Sequence, residues 1–226
     1  MMRYLRQVLT IAGKDLRVEL RTRERVAAMG AFVVLTAVLL NYAVDRTVIH
    51  PRELAAGMIW IVITLAGLLG LGRTFELEKE DGALEGLLVA PVPRDALYLG
   101  KVLANAALLG AIAALTLGVF ALFFQLTLPR NPLPLIGVIL MGTVGFVALG
   151  TLFSGITAGS RMGETLLPIL LFPLLVPLIT FGASATASLL AGFPPEEAVY
   201  SLRVLAAFTL VALTAGVGLF RFIVED

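Results

Sequence analysis

The sequence predicts an all-α integral membrane protein: six transmembrane helices, an N-terminal amphipathic interfacial helix, and a short cytoplasmic helix between spans two and three. Three observations carry this. Of 226 residues, 59% are hydrophobic and 15% charged, with a mean hydropathy of +0.97. Soluble domains hold roughly 45–50% apolar and about 25% charged residues. The chain contains six runs of at least 17 residues free of Asp, Glu, Lys and Arg, and a spanning helix needs about 20 mostly apolar residues. The basic residues between those runs are unevenly shared between alternate turns. The same composition excludes disorder, which needs low hydrophobicity and high charge. The absence of Cys removes disulfides, zinc–thiolate sites and thiol nucleophiles. A net charge of +1 gives no case for binding nucleic acid.

Residues 1–25 come first. Leu5, Leu9, Ala12, Leu16 and Leu20 share one helical face, with Arg3, Gln7, Lys14, Arg17 and Arg21 largely opposite. A basic amphipathic helix beside a span reads as lying on anionic headgroups, as a plain orientation anchor, or as an elbow that also touches a cytoplasmic partner. The apolar segment that follows is too long for the core of a signal peptide, so it is expected to be a retained first span.

The expected spans are 26–44, 54–72, 102–128, 133–158, 165–183 and 204–220, within one membrane domain covering 1–226. The fifth charge-free run, Thr165–Pro195, has 31 residues, longer than one crossing at about 1.5 Å per residue. Its tail, 184–192, is therefore expected to be a short external or re-entrant helix. Thirteen Lys/Arg fall on one side of these spans and four on the other. That bias places both termini in the cytoplasm.

The loop 73–101 is the most informative segment. Glu76, Glu78, Glu80, Asp81 and Glu85 make it acidic. Asp81 can cap a helix, and Gly82 permits a sharp change of direction. Leu84, Leu87 and Leu88 form one apolar ridge, and Pro91 and Pro93 then stop the helix. Like charges repel an acidic segment from anionic lipid. The residues alone leave two readings open: a helix seated in a basic or apolar protein groove, or a solvated loop with its leucines in the headgroups.

Other candidates carry plainer alternatives. Trp60 reads either as an interfacial belt residue or as part of a substrate- or partner-facing surface. Pro168, Pro173 and Pro177 free carbonyls that could line a cavity or form a hinge, or they merely kink a packed helix. His50, the only histidine, could ligate haem iron or simply be solvated. Gly142, Gly145, Gly150, Gly155 and Gly159 suit close helix packing. No ionisable residue is expected inside a span, which argues against proton coupling. Asn41, Asn105 and Gln125 are the polar candidates for bonds between helices. No catalytic constellation and no metal site is visible.

These residues carry a family resemblance. Glu78-Lys-Glu-Asp-Gly-Ala-Leu-Glu-Gly-Leu-Leu88 followed by Pro91, joining spans two and three of six, resembles the membrane subunits of ABC-2 type transporters. More narrowly, the chain resembles the CcmB family, the haem exporter B proteins of cytochrome c maturation. Gly57-Met-Ile-Trp60, Leu99-Gly-Lys101-Val, the glycines from Gly142 to Gly150, and Pro168, Pro173 and Pro177 carry that likeness.

The resemblance implies a permease subunit in a bacterial inner membrane, working with a separate ATPase subunit, CcmA, and with CcmC and CcmD, as two permease copies. The chain has no G-x-x-x-x-G-K-[ST] loop to cradle phosphates, so ATP belongs on the partner. The resemblance makes Glu78, Glu80, Asp81, Gly82, Leu84, Glu85, Leu87 and Leu88 the ATPase-coupling element. It makes haem the transported or partner-bound ligand, and offers either haem export or release of a haem-loaded chaperone (CcmE) from CcmC. The alternatives are a permease of another ABC-2 exporter, for lipid, drug or polysaccharide, and a non-transporting scaffold.

Overall fold

A computed structural model describes residues 2–44, 51–72, 74–75, 92–157 and 163–224. Their secondary structure is helical: α1 (Met2–Thr22), α2 (Glu24–Ala43), α3 (Pro51–Gly72), α4 (Arg94–Phe123), α5 (Leu133–Thr157), α6 (Gly163–Leu190) and α7 (Pro195–Val224). Helices α2 to α7 are each long and apolar enough to cross a membrane. Glu78, Glu80, Asp81, Gly82, Leu84, Glu85, Leu87 and Leu88 lie outside the described residues, as does His50.

Three expected boundaries differ. The third span was expected from 102, but α4 starts at Arg94. Counting charge-free residues stops at Lys101, whereas the helix is set by Pro93, whose φ of −57° suits the residue just before a helix. The fifth span does not end near 183. Helix α6 continues through Pro168, Pro173 and Pro177 to Leu190, so 184–190 belong to it and are no separate helix. Leu167, Leu171, Leu175, Leu178, Ala185 and Leu189 form one buried seam along its whole length. The prolines sit off that seam, where packing of the rest of the helix tolerates their missing N–H groups. The sixth span was expected from 204, but α7 begins at Pro195, a residue suited to the first turn of a helix, so Arg203, where the charge-free run stops, lies within it.

Helices α3 and α5 are the most enclosed. They run parallel, as a ladder of large side chains over glycines shows. Trp60 lies on Gly142, Phe146 on Gly67, and Leu71 on Gly150. A Cβ at any of these glycines would meet the facing side chain, so close helix approach explains Gly142 and Gly150. Tyr98 of α4 fills the same kind of notch at Gly216 of α7. The ring of Phe220, near the end of α7, lies 5.4 Å from Tyr98 and 6.1 Å from Phe75. The ends of α3 and α7 and the start of α4 therefore meet at one end of the bundle, where α1 also lies.

Helix α1 crosses the start of α4. Val8 and Ala12 are buried there, while Leu5, Leu9 and Leu20 of the expected apolar stripe stay exposed. The crossing depends on Gly100: a Cβ built there would stand 2.7 Å from Ile11 and 3.1 Å from the Val8 carbonyl. Gly100→Leu should lift α1 off α4 and destabilise the chain by about 1–3 kcal/mol. The check is faster proteolytic cleavage within residues 2–22 together with a lower unfolding midpoint.

Candidate functional site

The described residues on either side of segment 76–91 are held by a polar cluster built from α1, α2, α4 and α5. Its logic begins with the end of α3. The last turn of a helix leaves carbonyls without partners and carries partial negative charge. Here side chains supply donors. Arg25 Nη1 donates to the Gly70 carbonyl at 3.4 Å, and Ser154 Oγ donates to the Leu71 carbonyl at 3.0 Å. One turn on, Lys101 Nζ donates to the Thr74 carbonyl at 3.0 Å. Asn105 Nδ2 donates to Thr74 Oγ1 at 3.3 Å and to Thr151 Oγ1 at 3.2 Å. The chain just before segment 76–91 is thus tied to three helices.

Lys101 is the centre. It is 2% exposed, although the sequence had placed it at the edge of a loop. Its ammonium also lies 3.2 Å from Asp15 Oδ2 on α1 and 5.0 Å from the centre of the Phe75 ring. Burying an ammonium is unfavourable unless a charge and hydrogen bonds compensate, and here a carboxylate, a carbonyl and a ring face do so.

A second ion pair braces the joint between α1 and α2. Arg23 takes a left-handed conformation, φ 58°, and separates α1 from α2. Its N–H donates back to the Glu19 carbonyl at 2.7 Å. The buried Glu19 carboxylate accepts the Val26 N–H at 3.0 Å and Arg25 Nε at 2.7 Å. A carboxylate at that position suits the positive N-terminal end of α2. Arg25 in turn reaches the end of α3, so α1, α2 and α3 form one bonded chain of contacts.

Past segment 76–91, Tyr4 Oη donates to Asp95 Oδ2 at 2.8 Å, and Tyr98 Oη donates to the Ala148 carbonyl at 2.9 Å. Burial first, and then the Asp95 carboxylate, push the Tyr4 phenol up from 10.0 to about 12. The fold therefore favours the protonated donor. This tether is complete below about pH 10 and is lost as pH rises towards 12.

The other expected surface residues divide. Trp60 does not present a surface: it is 1% exposed, its ring lies against Gly142 and Gly182, and its Nε1 donates to Thr186 Oγ1 at 3.0 Å. The neighbouring glycines made room for the indole inside the bundle, so it is neither a belt residue nor a face for a partner. Pro173 and Pro177 are exposed, off the α6 seam. Pro168 lines an open apolar groove of about 480 Å³ with Phe32, Leu65, Leu68, Leu69, Gly72 and Phe172. Asn105 makes the expected bonds between helices. Gln125 stands outside α4 with φ 51°. Among the described residues no three His, Asp or Glu side chains gather as metal ligands.

Comparison with known proteins finds relatives of the whole chain. Residues 6–221 match the family described as "CcmB protein". The chain is 35% identical over 200 residues to "Heme exporter protein B" of Paracoccus denitrificans, covering 88% of this chain and 90% of that one. It is 34% identical over 173 residues to the protein of that name in Rhodobacter capsulatus, covering 76% and 79%. For the Pseudomonas aeruginosa protein the identity is 31% over 205 residues, 90% of each chain.

Proposed function

The chain belongs to the CcmB protein family, and we propose that it is the membrane-spanning permease subunit of an ABC complex in cytochrome c maturation. In this reading it couples ATP hydrolysis on a partner subunit, CcmA, to haem export or to release of haem-loaded CcmE from CcmC. CcmC and CcmD complete the assembly, with two permease copies. The chain itself is not the ATPase. Its six long apolar helices support a multi-pass protein of the bacterial inner membrane. Its basic α1 end, with both termini, faces the cytoplasm.

The observation that supports the coupling role is the polar cluster that fastens the described residues preceding the acidic, leucine-rich segment 78–88 in the chain. Along the chain that segment lies between Phe75 and Val92. Lys101, Asn105, Ser154 and Arg25 fasten the first of these ends. A partner that moves this segment would pull on a carbonyl held by Lys101, and Lys101 is bonded to α1. Displacement would reach α1, α3, α4 and α5 together instead of being lost in a slack connection. Glu78, Glu80, Asp81, Gly82, Leu84, Glu85, Leu87 and Leu88 would form the docking element, with the leucines in an apolar groove and the carboxylates against its basic rim. Haem is cargo or partner-bound here, not a resident cofactor.

The functional experiment is complementation. A strain lacking its own permease subunit, supplied with this chain, should regain haem-stained c-type cytochromes. A strain that regains another ABC-2 phenotype and no c-type cytochrome would assign the chain to a different exporter.

A further inference from the structure

Helix α1 sorts its charges by direction. It contains two acids, Asp15 and Glu19, and both are turned inward onto Lys101 and Arg25. Arg3, Arg6, Arg17 and Arg21 are all exposed. Among the described residues no acid pairs with these four arginines. Between the inward face and the arginine face runs the leucine stripe, with Leu5, Leu9 and Leu20 at 52%, 61% and 67% exposure. The outward surface is therefore cationic and apolar side by side, its acids already consumed inside the protein. Chain connectivity fixes what this surface meets: Arg23 alone separates α1 from the spanning helix α2.

We propose that the outward face of α1 binds anionic phospholipid headgroups of the leaflet it adjoins, with the arginines on phosphate and the leucines among the upper acyl chains. Single-sign charge beside an exposed apolar stripe, one residue from a span, fits a membrane surface. An acidic protein groove would match the charge but would have to reach a helix tethered at the bilayer. Because α1 also carries Asp15 and Glu19 to the two braces, lipid bound to one face holds the ion pairs of the other in register. The proposal stands independently of any ATPase contact.

The test uses the full chain in nanodiscs of phosphatidylcholine alone or mixed with phosphatidylglycerol. Amide hydrogen exchange over residues 2–22 and phosphatidylglycerol retained in native mass spectrometry are the readouts. Phosphatidylglycerol should be retained and should slow exchange in α1, and salt should weaken both effects. Each arginine near an anionic surface contributes about fivefold to occupancy. The combined variant Arg3→Gln, Arg6→Gln, Arg17→Gln and Arg21→Gln should therefore lose the lipid dependence. If that variant does not accumulate, Arg17→Gln alone should reduce retention about fivefold. Equal exchange in both bilayers would overturn the proposal. So would lipid dependence that survives the arginine changes, or slowing that appears only when a protein partner is added.

Discussion

Lys101→Met should destabilise the purified chain by about 3 kcal/mol, at the lower end of the loss seen when one partner of a buried ion pair is removed. Methionine keeps most of the volume but leaves Asp15 without its buried counter-ion and the Thr74 carbonyl without its donor. The lower end applies because Asp15 is 11% exposed and keeps Lys14 at 3.0 Å. Combining Lys101→Met with Asp15→Asn should recover much of the loss, since no buried charge is then left without its partner, Lys14 being exposed. Lys101→Arg should be milder, although the planar guanidinium cannot occupy the same three contacts as a compact ammonium. Unfolding midpoints of the single and double variants in detergent check this. If the loss in the double variant equals the sum of the losses for Lys101→Met and Asp15→Asn alone, the pair has no coupling of its own.

Trp60→Ala should have a comparable or larger effect, about 3–5 kcal/mol, the usual loss for emptying a large aromatic site. The indole fills the space that Gly142 and Gly182 leave open, and nothing adjacent can refill it without moving α5 or α6. Trp60→Phe removes the bond to Thr186 but keeps most of the packing. It should be destabilising by about 1–2 kcal/mol. Cytochrome c maturation should follow stability through both variants. A stable Trp60→Phe chain that abolishes maturation would show that the indole meets a ligand after all.

Much of this architecture was legible beforehand because hydropathy reports length and enclosure by lipid directly. The charge-free runs located every described spanning helix, and their errors at helix starts share a cause. A run ends at a charge, whereas a helix ends where its backbone bonds fail. Hence α4 begins eight residues before the expected span, at Arg94. The fifth span was cut short instead by its length, whereas α6 continues past its prolines to Leu190 along its leucine seam. The polar cluster was not legible. Nothing in the period of α1 shows that Asp15 and Glu19, four residues apart on a basic helix, turn inward, one onto the distant Lys101 and the other onto Arg25 just past the helix. Their isolation among arginines was the available signal. Gly100 beside Lys101 was another, because a glycine there lets a second helix approach the lysine. Trp60 misled because a tryptophan near the end of a span resembles a belt residue, and only the facing Gly142 and Gly182 reveal its slot.

Residues 78–88 are proposed above to dock an ATPase subunit. The most direct measurement is the amount of co-expressed ATPase that stays with the chain through purification, for the wild type beside Glu85→Lys and Leu87→Asp. Retention by the wild type and loss by both variants are expected, with ATP turnover falling in parallel and the unfolding midpoint of the permease unchanged. Glu85→Lys would place like charge against a basic rim, and Leu87→Asp would put a carboxylate into an apolar groove, which is unfavourable unless it is paired. Full retention of the ATPase by both variants would show that residues 78–88 are not the docking element.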